Sequence, residues 1–396
     1  MRFKLNKQKI LNIQFILFLY RLFKVIYYKL IYDTIVYKFL YSHNISDVID
    51  FNKKYRLIVC HNGGGGTVSY MKNKYFNDKD VLILRNTITA DKDYLYSIEN
   101  VSLHKQCFIK PQKLSLLNKN LYEINIVAVE SYMSLNFILP WFASLQLPIT
   151  YDLHDYHCIW YETHFIHNGK YLTKEELKKS VLKYVGTKIT FQQWHDIWQK
   201  FLSSVKQINA FSESSKEIFS EYYPEYIDKV KVTPHSLEYI TCNKLTTIPK
   251  NFNIGIFGII KGADKGCYVI KSFLDFSKNK EYQIYINGEL NSDCMIKAPN
   301  IHYMGRYDVS NLDKIIFEQG ISTVLFPSIC PETFSYTVSE LIHVGIPIAC
   351  FNLGAQAEKV SKYKYGEIIK ENTNEEIFSA LKKAYEKGQH KEDNDE

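Results

Sequence analysis

The sequence predicts an α/β chain of two alternating strand–helix domains behind a basic, aromatic leader, and three observations predict it. Two series of short apolar runs, separated by turn-rich segments, flank a polar, proline-bearing stretch at 241–251. The first strand of each series runs into a glycine-rich turn, the opening of an alternating α/β domain. The formal charge of +7 is carried entirely by residues 1–45, where Arg2, Lys4, Lys7, Lys9, Arg21, Lys24, Lys29 and Lys38 face Asp33 alone. The length of 396 residues gives room for two cores at roughly 100–200 residues per domain. With 46% apolar and 23% charged residues, a wholly disordered chain and a many-span membrane protein are both excluded.

Each element follows in order. The leader, 1–50, is dense in Ile, Leu, Phe and Tyr, but its longest uncharged run is 10–20. A spanning helix needs about 20 apolar residues. On a helix, Arg21, Lys24, Lys29 and Lys38 share about half of the circumference. That pattern suits a helix lying in an anionic membrane interface, with packing on the first domain or on a partner protein as the alternative.

The first domain is placed at 51–240. Residues 55–60 read as a strand, 61–67 (HNGGGGT) as a glycine turn, and a helix follows from Val68. Strands continue at 81–84, 124–129 and 149–153. Helices are predicted at 194–206 and at 213–223, the latter stopped by Pro224, and 231–236 is extended. The linker is 241–251 and the second domain 252–375, with strands at 252–257, 282–286, 301–304, 323–326 and 346–351. A helix at 375–387 and a charged tail at 391–396 complete the last segment, 376–396.

Eight cysteines are scattered without a CxxC pair, several in apolar runs. This is reduced, buried cysteine, and with no cleavable signal pattern the expected location is cytoplasmic. The 31 tyrosines are assigned mostly to biased usage, although some would suit stacking on sugars.

The most informative stretch is 326–348, FPSICPETFSYTVSELIHVGIPI: a strand, a loop with Glu332, a helix beginning near Phe334 and carrying Glu340, a glycine stop at Gly345, and another strand. Seven residues separate the two glutamates. Glu332 therefore lies at the mouth of the helix and Glu340 about two turns in, on nearly the same side, so both can face one pocket. Free amides and the dipole at the helix start make a seat for a diphosphate. Carboxylates on either flank can accept hydrogen bonds from sugar and ribose hydroxyls.

This segment resembles the donor-site signature of the retaining glycosyltransferases of family four, bacterial surface-polysaccharide enzymes with the GT-B fold. Further matches extend the resemblance over most of the chain after the leader: 258–266 (GIIKGADKG), 305–307 (GRY), the loop 352–358 (NLGAQAE), the glycine turn 63–67 and 152–156 (DLHDY). The resemblance implies two Rossmann-like domains with the active site in an inter-domain cleft, and a C-terminal helix returning to brace the first domain. It implies that Glu332 contacts sugar hydroxyls, Glu340 the ribose, Lys265 the departing diphosphate and His154 the sugar near its reacting carbon. Thr333, Phe334 and Ser335 would offer amides to phosphate, Gly64 and Gly65 would permit close approach, and Gly258, Lys261 and Arg306 would line the donor site. One departure stands out: many members have Arg after the glycine matching Gly258, whereas this chain has Ile259, with Lys261 as a substitute.

The implied reaction is transfer of a hexose-type sugar, with retention, from a nucleotide sugar to a saccharide or lipid-linked glycan in surface polysaccharide synthesis. Negative charge growing on the leaving diphosphate would be met by lysine and helix amides, so neither metal nor cofactor is expected. A peripheral position on the inner face of the membrane, through residues 1–45, would bring the enzyme to its acceptor. A non-catalytic nucleotide-sugar-binding scaffold and a GT-B nucleotide-sugar epimerase are the alternatives. His154, His157, His164 and His167 have zinc-like spacing but no completing ligand framework. Asp78 and Asp80 read as a turn, 63–66 lacks the dinucleotide spacing, and a basic excess confined to an apolar leader argues against nucleic acid.

Overall fold

The computed structural model describes residues 44–61, 66–88, 94–129, 132–167, 169–184 and 187–390. The leader up to residue 43, Gly64, Gly65 and the tail 391–396 lie outside the described residues, so their expectations are not addressed. The chain divides into two compact units at Ile149/Thr150.

In the first unit the helices are α1 (Ile45–Val48), α2 (Gly66–Tyr75) and α3 (Tyr132–Ser144). The strands are β1 (Tyr55–Cys60), β2 (Val81–Ile88), β3 (Tyr94–Asn100), β4 (Lys105–Ile109) and β5 (Leu121–Ile126), in the order β5-β1-β2-β3-β4. β1 is parallel to β2 and β5, whereas β3 and β4 add an antiparallel edge. The sequence predicts no element over 94–109. Residues 77–80 form the turn before β2, with Asp78 paired to Arg56 at 2.8 Å, the role expected for that acidic pair.

The second unit opens with β6 (Ile149–Asp152), the hairpin β7 (Ile166–His167) and β8 (Lys170–Tyr171), α4 (Lys174–Lys178) and the hairpin β9 (Val181–Tyr184) and β10 (Thr187–Thr190). α5 (Phe191–Ser204), β11 (Gln207–Ala210), α6 (Glu213–Tyr222) and β12 (Val230–Val232) follow. β6, β11 and β12 are parallel neighbours. Thr190 and Ser212 cap α5 and α6 by accepting from Gln193 N and Ser215 N.

After 241–253, which hold no regular element, come β13 (Ile254–Ile260), α7 (Cys267–Ser277), β14 (Ile284–Leu290), β15 (Ile301–Gly305), α8 (Leu312–Glu318), β16 (Thr323–Phe326), α9 (Tyr336–Val344), β17 (Ile348–Phe351), α10 (Gly354–Lys362), β18 (Gly366–Ile369) and α11 (Asn374–Gln389). The six strands are all parallel in the order β15-β14-β13-β16-β17-β18, the doubly wound pattern 3-2-1-4-5-6. Their apolar runs are nearly continuous because helices cover both faces. On one face Ile254, Ile256 and Ile260 pack with α7 and α11; on the other, Phe257, Val324 and Ile348 pack with α8 and α9.

One expectation changes. Residues 354–358 are the first turn of α10 and not a loop. α11 packs on the second sheet and on the 248–250 segment, where Gln389 and Tyr385 donate to the Pro249 and Lys250 carbonyls. Ile240 and the linker residues Cys242, Leu245 and Ile248 are buried in the core of the other face, with α8 and α9. All eight cysteines are buried. Among the described residues no helix is long and apolar enough to cross a membrane.

Candidate active site at the sheet switch point

Strand order reverses between β13 and β16, which are hydrogen-bonded neighbours whose successors lie on opposite sides. In open α/β sheets the crevice at the carboxyl ends of such strands is where ligands bind. The two loops at this point are 261–266 after β13 and 327–335 after β16, and they carry Lys265 and Glu332. Lys265 Nζ donates to Glu332 Oε1 at 2.7 Å. Burial acts against the Lys265 charge, but the Glu332 charge and hydrogen bond outweigh it and raise its pKa. Burial likewise opposes ionisation of Glu332, and the Lys265 ammonium reverses the balance, holding the carboxyl below its ordinary range. Both groups are charged at neutral pH.

The loops are locked together by backbone. Ile329 N donates to Asp264 O at 3.0 Å, and Gly266, in the left-handed region at φ 81°, caps α7 directly against Pro327. Behind Glu332, the buried Gln356 accepts from Glu332 N at 3.0 Å and donates to Cys330 O at 2.6 Å. Gly354, at φ 54°, sits so close that a Cβ would lie 2.6 Å from Pro331 Cα and 2.7 Å from Glu332 N. The start of α10 is thus a backstop that fixes the Glu332 backbone.

α9 begins at Tyr336, two residues after the expected start. Ser335 is the N-cap at φ 61°, a left-handed conformation that breaks the helix, so the free helix amides begin with Tyr336 and not with Thr333 to Ser335. The Thr333 carbonyl accepts from Ser212 Oγ at 2.9 Å and Ser215 Oγ at 3.0 Å, and its hydroxyl donates to His154 O at 3.0 Å. Thr333 therefore ties the mouth of α9 to the ends of β6 and β11. Phe334 is buried beneath this turn.

Glu340, on α9, is buried and accepts from Tyr239 Oη at 2.6 Å. Burial raises its pKa, against the lowering effect of that hydrogen bond. The His154 ring stacks on His235 (centroids 5.3 Å, interplanar 10°), and His235 in turn stacks on Tyr336 (5.2 Å, 7°). An aromatic column thus connects the end of β6 to the first turn of α9. Sequence reasoning missed His235, Tyr239, Ser212 and Ser215. The Ser-rich cap at 212–215 was the one visible signal.

Lys261 and Arg306 do not stand beside Lys265 as independent cations. Both pair with Glu289 on β14, whose single carboxylate they share at the far side of β13. Gly258, at φ 115°, is register partner to Gly288 on that same side. The four imidazoles take four different surroundings: His154 lies in the column, His157 edge-on to Trp194, His164 Nδ1 3.2 Å from Asp264 and His167 2.6 Å from Glu162. Among the described residues, His164, Asp264 and Cys330 place ligand atoms within 4.8 Å of one another. The Cys330 thiol is pushed up to about 12 by burial, and the Lys265 charge acts on both His164 and Cys330, which disfavours a cation there.

The fold is that of the GT-B class, an α/β chain built from two Rossmann-like domains. Solved structures of three proteins share it: HepE of Anabaena in complex with UDP-glucose, sucrose-phosphate synthase of Thermosynechococcus elongatus, and a glycosyltransferase of Rickettsia africae. HepE is 12% identical at a TM-score of 0.54, covering 85% of this chain and 92% of that one. The synthase is 12% identical at 0.55 (86% and 92%), and the Rickettsia enzyme 16% identical at 0.50 (86% and 93%). No protein-family model matches the sequence, and no curated protein does.

Proposed function

We propose that this chain is a retaining glycosyltransferase that moves a hexose-type sugar from a nucleotide sugar to a hydroxyl of a saccharide or lipid-linked glycan in surface polysaccharide synthesis. The observation that carries the reading is the Lys265–Glu332 pair at the switch point, at the entrance to α9. A diphosphate seated against the Tyr336 amide would meet the helix dipole and the Lys265 ammonium together, and their stabilisation grows as the leaving group gains charge. Glu332 would orient sugar hydroxyls and His154 would lie near the reacting carbon. UDP-glucose is the first donor to try, because HepE was solved with it. Incubation with UDP-, GDP- and ADP-sugars, with NMR of the product anomer and a chelator control, tests donor, retention and metal independence together. Binding without turnover of any donor would leave a scaffold, and donor isomerisation an epimerase.

Glu340 is assigned to the ribose. Because burial raises its folded pKa, stability falls as pH rises from the unfolded carboxylate pKa through that raised value. Glu340→Gln is expected to flatten this decline and to raise the neutral-pH melting temperature. The same change should weaken nucleotide binding by roughly tenfold or more, the worth of a hydrogen bond to a charged group. Unchanged affinity in calorimetry would remove Glu340 from the ribose site.

Residues 1–45 are assigned to an anionic membrane surface on the cytoplasmic side. Deleting them should abolish co-sedimentation with vesicles containing anionic lipid while leaving donor turnover intact. Equal sedimentation of the truncated chain would overturn the assignment.

A further inference from the structure

Ile259 stands in place of a cation, Lys261 and Arg306 share the carboxylate of Glu289, and Lys265 is paired with Glu332, so each cation offered to a diphosphate already has an anionic partner. The structure holds another cation beneath the start of α9. Lys359, on α10, reaches under the mouth of α9. Its Nζ donates to Phe334 O at 2.5 Å and to Ser339 Oγ, and lies 3.4 Å from the centroid of the Phe334 ring.

These partners are all neutral. A carbonyl, a hydroxyl and a ring face contribute partial charges only, and the position is the positive end of a helix, where a cation is disfavoured. Burying an ammonium this way is costly without a counter-ion. One turn above, the Ser335 side chain is buried, and its Oγ has no partner at hydrogen-bonding distance among the described residues, although it is near enough to Glu332 to favour that carboxylate. An under-compensated ammonium and a buried hydroxyl converge on one helix mouth. Both deficits would be met by an anion seated there.

We infer that Lys359 supplies the second positive charge of the diphosphate site, acting from beneath the first turn of α9 through the field at the seat. This rests on the proposed donor site. Lys359 is a positioning residue, since its contacts at the helix mouth are with the Phe334 carbonyl and ring. Its surroundings give the inference a specific signature. Burial lowers the Lys359 pKa to about 8, against the opposing pull of Glu358 on its own helix and Glu332 on the loop before α9; on α9 its partner is Ser339. An arriving diphosphate would raise that pKa again. Above about pH 8, binding should therefore take up a proton, and affinity should fall as pH rises.

The test is calorimetric titration of the full-length protein with UDP, and with inorganic pyrophosphate, from neutral pH to about pH 9.5 in buffer pairs of different ionisation enthalpy. Wild type is expected to show proton uptake that grows above pH 8. Lys359→Met should lose the uptake and bind about tenfold more weakly, and Lys359→Arg should keep the affinity while losing the pH dependence. Uptake that persists in a folded Lys359→Met variant, or wild-type binding with no uptake, overturns the inference while leaving the donor site standing. The wild-type measurement decides even if the variant does not fold. Failure of wild type to bind any nucleoside diphosphate would overturn the donor site and this inference together.

Discussion

Replacing Lys265 by Ala is expected to lower donor turnover by about 10²–10³-fold, the usual cost of removing one preorganised donor from a developing charge. Lys265 is held 2.7 Å from Glu332, and that partner keeps it protonated although its side chain is partly buried. A group already charged and already positioned needs no reorganisation when the leaving group departs. Glu332→Gln should show a loss of similar order through the sugar hydroxyls, and the double variant should lose less than the product of the two, because the residues act as one unit. The cost in stability should be modest, about 1 kcal/mol or less, because the Lys265 side chain is 37% exposed and solvent screens the pair. Since the Glu332 pKa is lowered, that contribution is present above the unfolded carboxylate pKa and is lost as pH falls through the folded one. Single-turnover kinetics on Lys265→Ala, together with its unfolding midpoint, separates the two effects. Turnover within threefold of wild type would remove Lys265 from the chemistry.

Gly266→Ala is expected to be among the most damaging small substitutions in the second unit. The residue caps α7 at φ 81°, and a left-handed conformation costs an L-residue about 1–2 kcal/mol. The added Cβ would also lie 2.0 Å from the Pro327 carbonyl oxygen, an atom that cannot move without shifting the loop after β16. The total should exceed about 3 kcal/mol, above the ordinary range for point substitutions. Because Gly266 follows Lys265 and Pro327 precedes the Glu332 loop, any variant that still folds should also bind donor poorly. Urea denaturation measures the first effect and calorimetry the second. An unfolding midpoint equal to wild type would show that these loops are not packed as described.

How much of this was readable beforehand varies by element. Strands at 55–60 and 323–326 were read to the residue, because a strand covered on both faces announces itself as an uninterrupted apolar run. Antiparallel β3 and β4 were missed, since their YLYSIEN and KQCFI segments mix polar residues into short runs bounded by no glycine or proline. The start of α9 was placed too early. Helix patterning continues through Phe334, and only the left-handed Ser335, held by a turn whose neighbours bond elsewhere, sets the actual start.

The candidate site divides in the same way. Lys265 and Glu332 were nameable because a glycine-rich loop after a strand and an acidic residue before a helix are local patterns, each complete within a few residues. That these two should be each other's partner was not. The pair spans 67 positions, Tyr239 and Glu340 span 101, and Thr333 meets Ser212 across 121. The assignment of Lys261 and Arg306 to the donor site took no account of Glu289, which sits on a strand between them in the sheet but at no informative spacing in the chain. Lys359 likewise reads as an ordinary solvated lysine until α10 is laid against α9.

By itself, the sequence determined the alternation of strands and helices, the glycine turns and the identity of the charged residues near the switch point. These depend on side-chain periodicity and backbone freedom, which act over a few residues. The tertiary structure decided which charges are paired, which are buried, and which remain without a counter-charge. Those follow from strand order and helix packing, because only proximity in space fixes the local dielectric and the partner that each charge meets.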